Sequence, residues 1–239
     1  MKKNLRIWTC PLMLVGIFLI FIGSCKKEDV NNSTVIDIDG NVYHTVTIGT
    51  QVWTLENLET TRYLNGDSIP KIIAKNDWSN QTTGAQCIYN NNPELGYSYG
   101  RLYNWHAVND TRKIAPKGWH VPTDAEWTTL ENYVAEHLGY SGSPAKALAS
   151  NTNWTQFVEV NGVGNDLSKN NSSGFTALPG GNRYSDGDHD DVGDIGCWWS
   201  STEGDTSIAW SKGIYFYYAT ISRNGSNKVC GLSVRCIKD

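Results

Sequence analysis

The sequence has no excess of basic residues, no Cys-x-x-Cys pair, no internal repeat and only one long apolar run. Its 239 residues carry 20 basic and 24 acidic side chains. Without a basic patch, nucleic acid is excluded as the expected partner. Without Cys-x-x-Cys or a histidine close to a cysteine, the ligand spacing typical of zinc sites is absent. The length suits one large domain with a substantial core.

The apolar run lies near the N-terminus, over residues 7–22, and follows three basic residues. It is shorter than the about 20 residues that a membrane-spanning helix needs, so it indicates a cleaved export signal. The run leads into Gly23-Ser24-Cys25, and small residues before a cysteine resemble the cleavage site of bacterial lipoproteins. That resemblance implies cleavage before Cys25 and lipidation of Cys25. An uncleaved membrane anchor is the alternative.

The chain therefore divides into a signal peptide (1–24), a flexible tether (25–34) and one domain (35–239). Residues 26–29 are Lys-Lys-Glu-Asp, which resembles the short acidic signals that direct some bacterial lipoproteins to the cell surface. We expect an outer-membrane lipoprotein that meets the membrane through its lipid anchor and is exposed on the cell surface. The periplasmic face of the same membrane is the alternative.

The clearest local signal is the start of a helix at Thr123. Glu126 follows three residues later, which predicts a capping box, and Pro122 fixes the chain just before the cap. Apolar residues then recur near helical spacing: Trp127, Leu130, Val134 and Leu138. This periodicity predicts a helix over 123–138 that packs through one face.

The other patterns predict strands and long loops. Alternating residues over 42–56 predict a β-hairpin, and Leu102, Trp105 and His106 predict a short helix within 99–108. An Asn-Gly pair within 223–227 predicts the turn of a second hairpin. Strands are also expected at 35–39, 197–202, 207–221 and 229–237, and long loops at 60–98 and 161–196. The expected fold class is α+β, with an N-terminal hairpin, two helices, long loops and a C-terminal antiparallel sheet.

The acidic stretch 186–194 is a candidate metal site. Oxygen ligands recur there in a pattern that suits Ca²⁺: Asp186, Asp188, Asp190 and Asp191. The stretch lacks the spacing of an EF-hand, and a solvated Gly/Asp loop is the alternative. No other cofactor is expected.

Aromatic residues provide candidates for ligand contact. Trp198 and Trp199 are consecutive on a predicted strand, so one should face the core and the other the loops or solvent. An exposed Trp or Tyr could stack on a sugar ring, and Tyr184 lies within the long loop region. Packing of both tryptophans under the long loops is the alternative. Alternation along 215–218 likewise predicts an exposed aromatic pair.

Four cysteines follow Cys25: Cys87, Cys197, Cys230 and Cys236. In an exported protein, an even number indicates disulfides. Cys230 and Cys236 would lie about 20 Å apart on an extended strand, beyond the roughly 7 Å that a disulfide allows. Unless that segment bends they do not pair with each other, which leaves two connectivities open.

Several motifs together resemble the Fibrobacter succinogenes major paralogous domain family over about residues 35–239. The matching segments are 39–43, 53–58, 99–105, 118–127, 173–181, 198–202 and 231–236. The family resembles C-type lectin-like domains and formylglycine-generating enzymes in fold, and implies no established activity. Aromatic residues are usual in the family where Cys197 and Cys230 stand, which implies a bridge between these two and a second between Cys87 and Cys236.

The five histidines are scattered, and the cysteine spacing departs from the reactive pair of the formylglycine-generating enzymes. We therefore expect no catalytic activity. The leading hypothesis is a lectin-like surface lipoprotein that binds a polymer or partner, for example a glycan. A structural envelope component that assembles with another protein is the first alternative. An enzyme on the formylglycine-generating scaffold is the second.

Overall fold

A computed structural model describes residues 33–138 and 142–239. The predicted signal peptide, Cys25 and nearly all of the predicted tether lie outside the described residues. Within the described ranges, no helix has both the length and the apolar character needed to cross a membrane.

The described chain forms short strands around a few helices, which confirms an α+β fold. The strands are β1 (Thr34–Ile36), β2 (Val42–Ile48), β3 (Gln51–Thr54), β4 (Gln86–Cys87), β5 (Leu102–Tyr103), β6 (Trp119–His120), β7 (Gly180–Arg183), β8 (His189–Val192), β9 (Ile195–Glu203), β10 (Ile208–Tyr215), β11 (Ser222–Asn227) and β12 (Ile237–Lys238). The helices are α1 (Lys75–Ser79), α2 (Pro93–Tyr99), α3 (Trp105–Val108), α4 (Asp124–His137) and α5 (Pro144–Leu148).

The first sheet joins the two ends of the domain. Its strand order is β1-β2-β3-β12-β6, and its described pairs are antiparallel. The predicted hairpin is confirmed as β2 and β3, which turn at Gly49 with a φ of 62°. Ile237 of β12 pairs with Trp53 of β3 on one side and with His120 of β6 on the other. Residues near the end of the chain therefore form the middle of this sheet.

The second sheet has the order β11-β10-β9-β7-β8, and β7 runs parallel to β9. The predicted turn at 223–227 is wrong, because these residues belong to β11, which pairs with β10 along its whole length. β11 is an edge strand with alternating exposure, so it tolerates polar side chains and an Asn-Gly pair. The actual connection is the aromatic segment 216–221.

The predicted strand over 229–237 is also largely wrong. Only its end belongs to β12, while residues 231–233 make single bridges to three different elements. Gly231 pairs with Arg183, Leu232 with Tyr103, and Ser233 with Trp198. We call residues 231–233 the seam. Each of its residues pairs with a different element, so the seam joins separate parts of the fold.

The predicted helix over 123–138 is confirmed as α4. The Thr123 hydroxyl accepts from the Glu126 amide at 3.2 Å, and the Glu126 carboxylate accepts from the Thr123 amide at 2.7 Å, so the capping box is complete. The buried side of α4 carries Trp127, Leu130 and Val134. The ring of Trp127 lies 4.8 Å from that of Trp53. Burying such aromatic surface is a main source of stability here.

The loop predictions are partly wrong. The region 60–98 contains α1, β4 and most of α2, and the region 161–196 contains β7, β8 and the start of β9. The short helix predicted within 99–108 is a single turn, α3, preceded by β5. Asn104 begins it, because its side chain accepts from the Ala107 amide at 3.1 Å.

A buried arginine holds the central loops together. Arg235 is fully buried and donates to the Asn57 side chain and to the carbonyls of Thr54, Phe175 and Thr176, at 2.7 to 3.1 Å. Burial lowers the pKa of its guanidinium to about 9. Four acceptors satisfy the planar donor group, which explains why a charge is tolerated at this depth.

Candidate functional site

A cavity of about 240 Å³, lined by apolar and polar side chains, lies on the face of the second sheet that points away from α4. We call it the sheet pocket. Side chains from five strands and the seam region line it: Asn182, Tyr184, Asp191, Ile195, Cys197, Tyr215, Asn224, Ser226, Cys230 and Leu232. Concave sites with a few convergent polar groups are the usual location of ligand binding.

Strand register explains which side chains meet in the sheet pocket. Tyr215 lies opposite Ile195, and Gly213 lies opposite Cys197, on the pairing of β10 with β9. Residues two apart on a strand share a face, so Gly213 and Tyr215 point the same way. A methyl group on Gly213 would lie 2.9 Å from a ring carbon of Tyr215. The glycine therefore makes room for the Tyr215 ring to lie over the strand.

Asn224 completes this wall of the pocket from the neighbouring strand. Its side-chain NH₂ donates to the Tyr215 hydroxyl at 3.3 Å. Nearby on the same face, the hydroxyls of Ser211 and Ser226 lie 2.8 Å apart. The wall thus presents an aromatic ring beside an amide and hydroxyls.

Asp191 supplies the only charged side chain among the residues that line the sheet pocket. Its Oδ2 accepts from the Asn182 NH₂ at 2.9 Å and from the Tyr184 hydroxyl at 2.8 Å. That hydrogen bond and partial burial raise the pKa of Tyr184 to about 12. Within the described residues, the other oxygen of Asp191 has no hydrogen-bond donor and can accept from a ligand.

The backbone of Asp191 is in a left-handed conformation. Its φ is 70°, in the region that glycine, asparagine and aspartate adopt more readily than other residues. Such conformations persist where surrounding contacts hold them. Here the two hydrogen bonds to Oδ2 hold the carboxylate at the pocket wall.

The four predicted calcium ligands have separate partners. Asp188 pairs with Lys75, Asp186 accepts from the Asp188 amide, and Asp190 accepts from the Asp191 amide. In the part of the chain that the structure describes, no group of three or more His, Cys, Asp or Glu side chains could hold a metal ion. Of the four, only Asp191 lines the sheet pocket.

The expectation that Trp198 or Trp199 faces the loops or solvent is wrong, and the alternative, in which both tryptophans are packed, agrees with the structure. Trp198 is 1% exposed and Trp199 is fully buried. They do point to opposite faces of β9, but core residues cover both faces at this position. Their indole N–H groups donate to Asn57 and to the Tyr103 carbonyl. Tyr184, the third predicted aromatic, is 44% exposed and lines the sheet pocket.

Cys87, Cys197, Cys230 and Cys236 are free thiols in the structure. Cys197 and Cys230 line the sheet pocket together. Cys87 and Cys236 are both fully buried and belong to different core clusters, and the Cys87 sulfur lies 3.7 Å from His189. Burial raises the pKa of Cys197 to about 12 and that of Cys87 to about 11. The two implied pairings stay predictions.

Next to the sheet pocket, the connection between β10 and β11 carries two exposed tyrosines. Alternation predicts an exposed pair two residues apart, which is wrong, because β10 ends at Tyr215 and the exposed residues are consecutive. Tyr217 is 37% exposed and Tyr218 is 48% exposed. Their ring centroids lie 5.8 and 5.7 Å from that of Tyr215. We call these two residues the tyrosine ledge, and it continues the aromatic wall of the pocket onto the surface.

A second groove lies beside α2 and consists of two adjoining cavities of about 210 and 190 Å³ that share Glu59 and Tyr97. Burial raises the pKa of Glu59 above the usual glutamate value. Lys71 and Arg101 also line the groove. Tyr97 and Tyr99 also line it, and Tyr97 is 83% exposed.

Sequence patterns did not point to Asn182, Asn224 or Ser226. The sequence predicts a turn at Asn224 and a long loop at Asn182. One signal was present, because Ser222, Asn224 and Ser226 alternate as small polar residues, which is typical of one polar face of a strand. The meeting of these residues depends on register between strands and on a parallel pairing of β7 with β9.

Fold and site together define an α+β domain, built mostly from antiparallel strand pairs, with a concave site on one face of the second sheet. The chain belongs to the Fibrobacter succinogenes major domain family, whose family model matches residues 46–238. No match was found among curated proteins or among solved structures.

Proposed function

We propose that this protein is a cell-surface lipoprotein that binds a glycan in the sheet pocket, on a C-type lectin-like scaffold. The single observation that carries the proposal is the composition of the pocket. Tyr184 and Tyr215 offer apolar ring faces, and Asn182, Asn224 and Asp191 offer amide and carboxylate groups. Sugars present both apolar C–H faces and hydroxyl groups, so they need this combination.

The polar groups of the pocket are held in place before any ligand arrives. Asp191 is fixed by Asn182 and Tyr184, and Asn224 is fixed by Tyr215. Prior ordering lowers the entropic cost of binding. A glycan hydroxyl could donate to the unpaired oxygen of Asp191 while its ring packs on Tyr215.

The test is binding of purified full-length protein to a glycan array, followed by calorimetry on the best neutral glycan, with and without EDTA. Asn224→Ala should weaken binding about tenfold or more, because it removes a hydrogen-bonding group and frees Tyr215. The matched control is Asn76→Ala, at an exposed asparagine of α1, which should leave affinity unchanged.

Failure of the wild-type protein to bind any glycan would rule out the proposal. If Asn224→Ala binds as tightly as the wild-type protein, the glycan does not bind in the sheet pocket. Loss of binding in Tyr97→Ala would indicate the groove beside α2 instead. Loss of glycan binding in the presence of EDTA would show that binding requires a divalent metal ion such as calcium.

The anchor part of the proposal rests on residues outside the described structure. Mass spectrometry of the mature N-terminus should find an acylated Cys25, and Cys25→Ala should release the protein from the membrane fraction. Protease added to intact cells should digest the wild-type domain. Protection of the domain in intact cells would favour the periplasmic face.

A protein partner is the second candidate, and one observation favours it. Val158 and Val160 are 88% and 80% exposed on the loop before Gly162. Neighbouring exposed apolar side chains are typical of protein contact sites. Crosslinking in cells should capture a stoichiometric envelope protein, and Val158→Ser with Val160→Ser should abolish the crosslink. Capture that is unaffected by these substitutions would exclude this loop.

A further inference from the structure

We infer that the tyrosine ledge is a second subsite, which holds the sugar next to the one in the sheet pocket. The ligand is then an uncharged glycan chain of at least two sugars. This inference rests on the proposed glycan binding and specifies the class of glycan.

The sheet pocket is too small to hold more than the end of a glycan chain. At about 240 Å³ the pocket is below the range of roughly 300–1,000 Å³ that encloses a larger ligand. It has room for about one sugar ring. A second sugar must therefore lie outside it, on the adjoining surface.

The tyrosine ledge is the adjoining surface that can bind a sugar ring. The rings of Tyr217 and Tyr218 lie 4.3 Å apart at 61°, so they present two differently inclined aromatic faces to solvent. Both stand within 6 Å of Tyr215, which lines the pocket. A glycan chain that leaves the sheet pocket beside Tyr215 therefore meets the tyrosine ledge with its next sugar.

Packing from below holds the tyrosine ledge in position. Phe216 and Phe157 meet edge to face at 5.5 Å, and Phe157 also contacts Tyr217 at 6.3 Å. The backbone of the ledge is tied to the loop beneath it, because the Gly164 amide donates to the Phe216 carbonyl at 2.7 Å and the Val163 amide donates to the Tyr218 carbonyl at 3.3 Å. A surface ordered in this way binds at lower entropic cost.

Charge determines which chains fit. No lysine, arginine or histidine lines the sheet pocket, whereas Asp191 does. Two arginines adjoin lining residues in the sequence, and both are engaged elsewhere. Arg183 donates to the carbonyls of Ile72, Ile73 and Gly187. Arg223 pairs with Asp124 and lies over Trp210. An acidic sugar would place its carboxylate near Asp191 without a cation to balance it, and like charges in contact are strongly unfavourable.

The test compares oligosaccharides of one to four units by calorimetry, using neutral cello-, manno- and galacto-oligosaccharides and, as the acidic series, oligogalacturonates. For the neutral series that binds, the disaccharide should bind about tenfold more tightly than the monosaccharide, because the second ring gains the ledge. The double variant Tyr217→Ala with Tyr218→Ala should abolish that gain and leave monosaccharide affinity unchanged. Oligogalacturonates should bind at least tenfold more weakly than the neutral chains.

The matched control is Tyr97→Ala, which removes an 83% exposed tyrosine from α2 and should change neither value. Thermal unfolding verifies that each variant is folded, and either single ledge variant replaces the double variant if it is not. Binding without dependence on chain length, or a gain that survives the ledge variants, would overturn the second subsite alone. Tight binding of oligogalacturonates would overturn the charge selection. Absence of all glycan binding would overturn the proposed function itself, and the subsite with it.

Discussion

The two faces of the second sheet are built from the same strands but are covered differently. On one face, Trp198 and Ile214 pack into the core beneath α4, and Lys212 is buried with carboxylates of α4. On the other face, Trp199 is covered by core, but the end that carries Tyr215 and Asn224 is open as the sheet pocket. Complete coverage produces stability, whereas a gap lined by ordered polar groups leaves a place for a ligand.

The largest loss of stability is expected on the covered face, when a buried charge loses its partner. Lys212 is 2% exposed, and its Nζ lies 2.8 Å from Glu131 and 3.7 Å from Asp124. Lys212→Met should lower the free energy of unfolding by about 3 kcal/mol, because it leaves the Glu131 carboxylate without its cationic partner, while Asp124 keeps Arg223. Chemical denaturation measures the loss, and Lys238→Met at an exposed position is the control.

The pH dependence of the Lys212→Met variant checks that mechanism. Burial raises the pKa of Glu131, and the hydrogen bond from Lys212 opposes that rise. Without Lys212, the pKa of Glu131 should rise further above its value in the unfolded chain. Protonated Glu131 carries no charge, so the destabilisation should shrink as the pH falls and grow as the pH rises through the pKa. A loss of stability that does not vary with pH would point to packing instead.

Substitutions on the open face should lower glycan affinity more than they lower stability. Gly213→Ala places a methyl group 2.9 Å from Tyr215 and 3.1 Å from the Asn224 NH₂, so both side chains must move. The expected cost in unfolding free energy is about 1–2 kcal/mol, with a larger proportional loss of glycan affinity.

Gly225→Ala is the matched control for Gly213→Ala. Its methyl group would meet Ile208 at 2.8 Å, on the other face of the sheet edge. It should lower stability without lowering affinity. If both substitutions affect binding equally, the two faces are not functionally distinct.

The smallest expected effect concerns the start of α4. His120 lies between Glu126 at 2.9 Å and Asp239 at 2.7 Å. Burial works to lower the pKa of His120, but the hydrogen bonds to the two carboxylates outweigh it and raise the pKa above 6.5. Stability from this group is therefore fully present below pH 6.5 and is lost as the pH rises through the folded pKa.

His120→Gln should lower stability by about 0.5 kcal/mol near pH 5.5, because these side chains are partly exposed and screened. The difference from wild type should vanish near pH 9. His137→Gln is the control, since that ring contacts Tyr133 instead of a carboxylate. Thermal melts at the two pH values compare the variants, and an equal loss at both would contradict a charge effect.

The sequence predicted the covered face better than the open one, for a physical reason. The capping box of α4 and its apolar spacing involve residues within one or two turns, so they are visible locally. The sheet pocket combines Asn182, Asp191, Tyr215 and Asn224, which depend on register between strands. Alternation predicts that Trp198 and Trp199 face opposite ways, but it does not show that both faces are covered.

The seam and β12 also determine when this domain can fold. A chain still short of residue 237 lacks the strand between β3 and β6, so the first sheet remains in two pieces. Residues 231–233 likewise supply partners for three separate elements. Vectorial synthesis therefore cannot finish the domain from its N-terminal end. The polypeptide therefore stays incompletely folded until β12 has emerged from the ribosome.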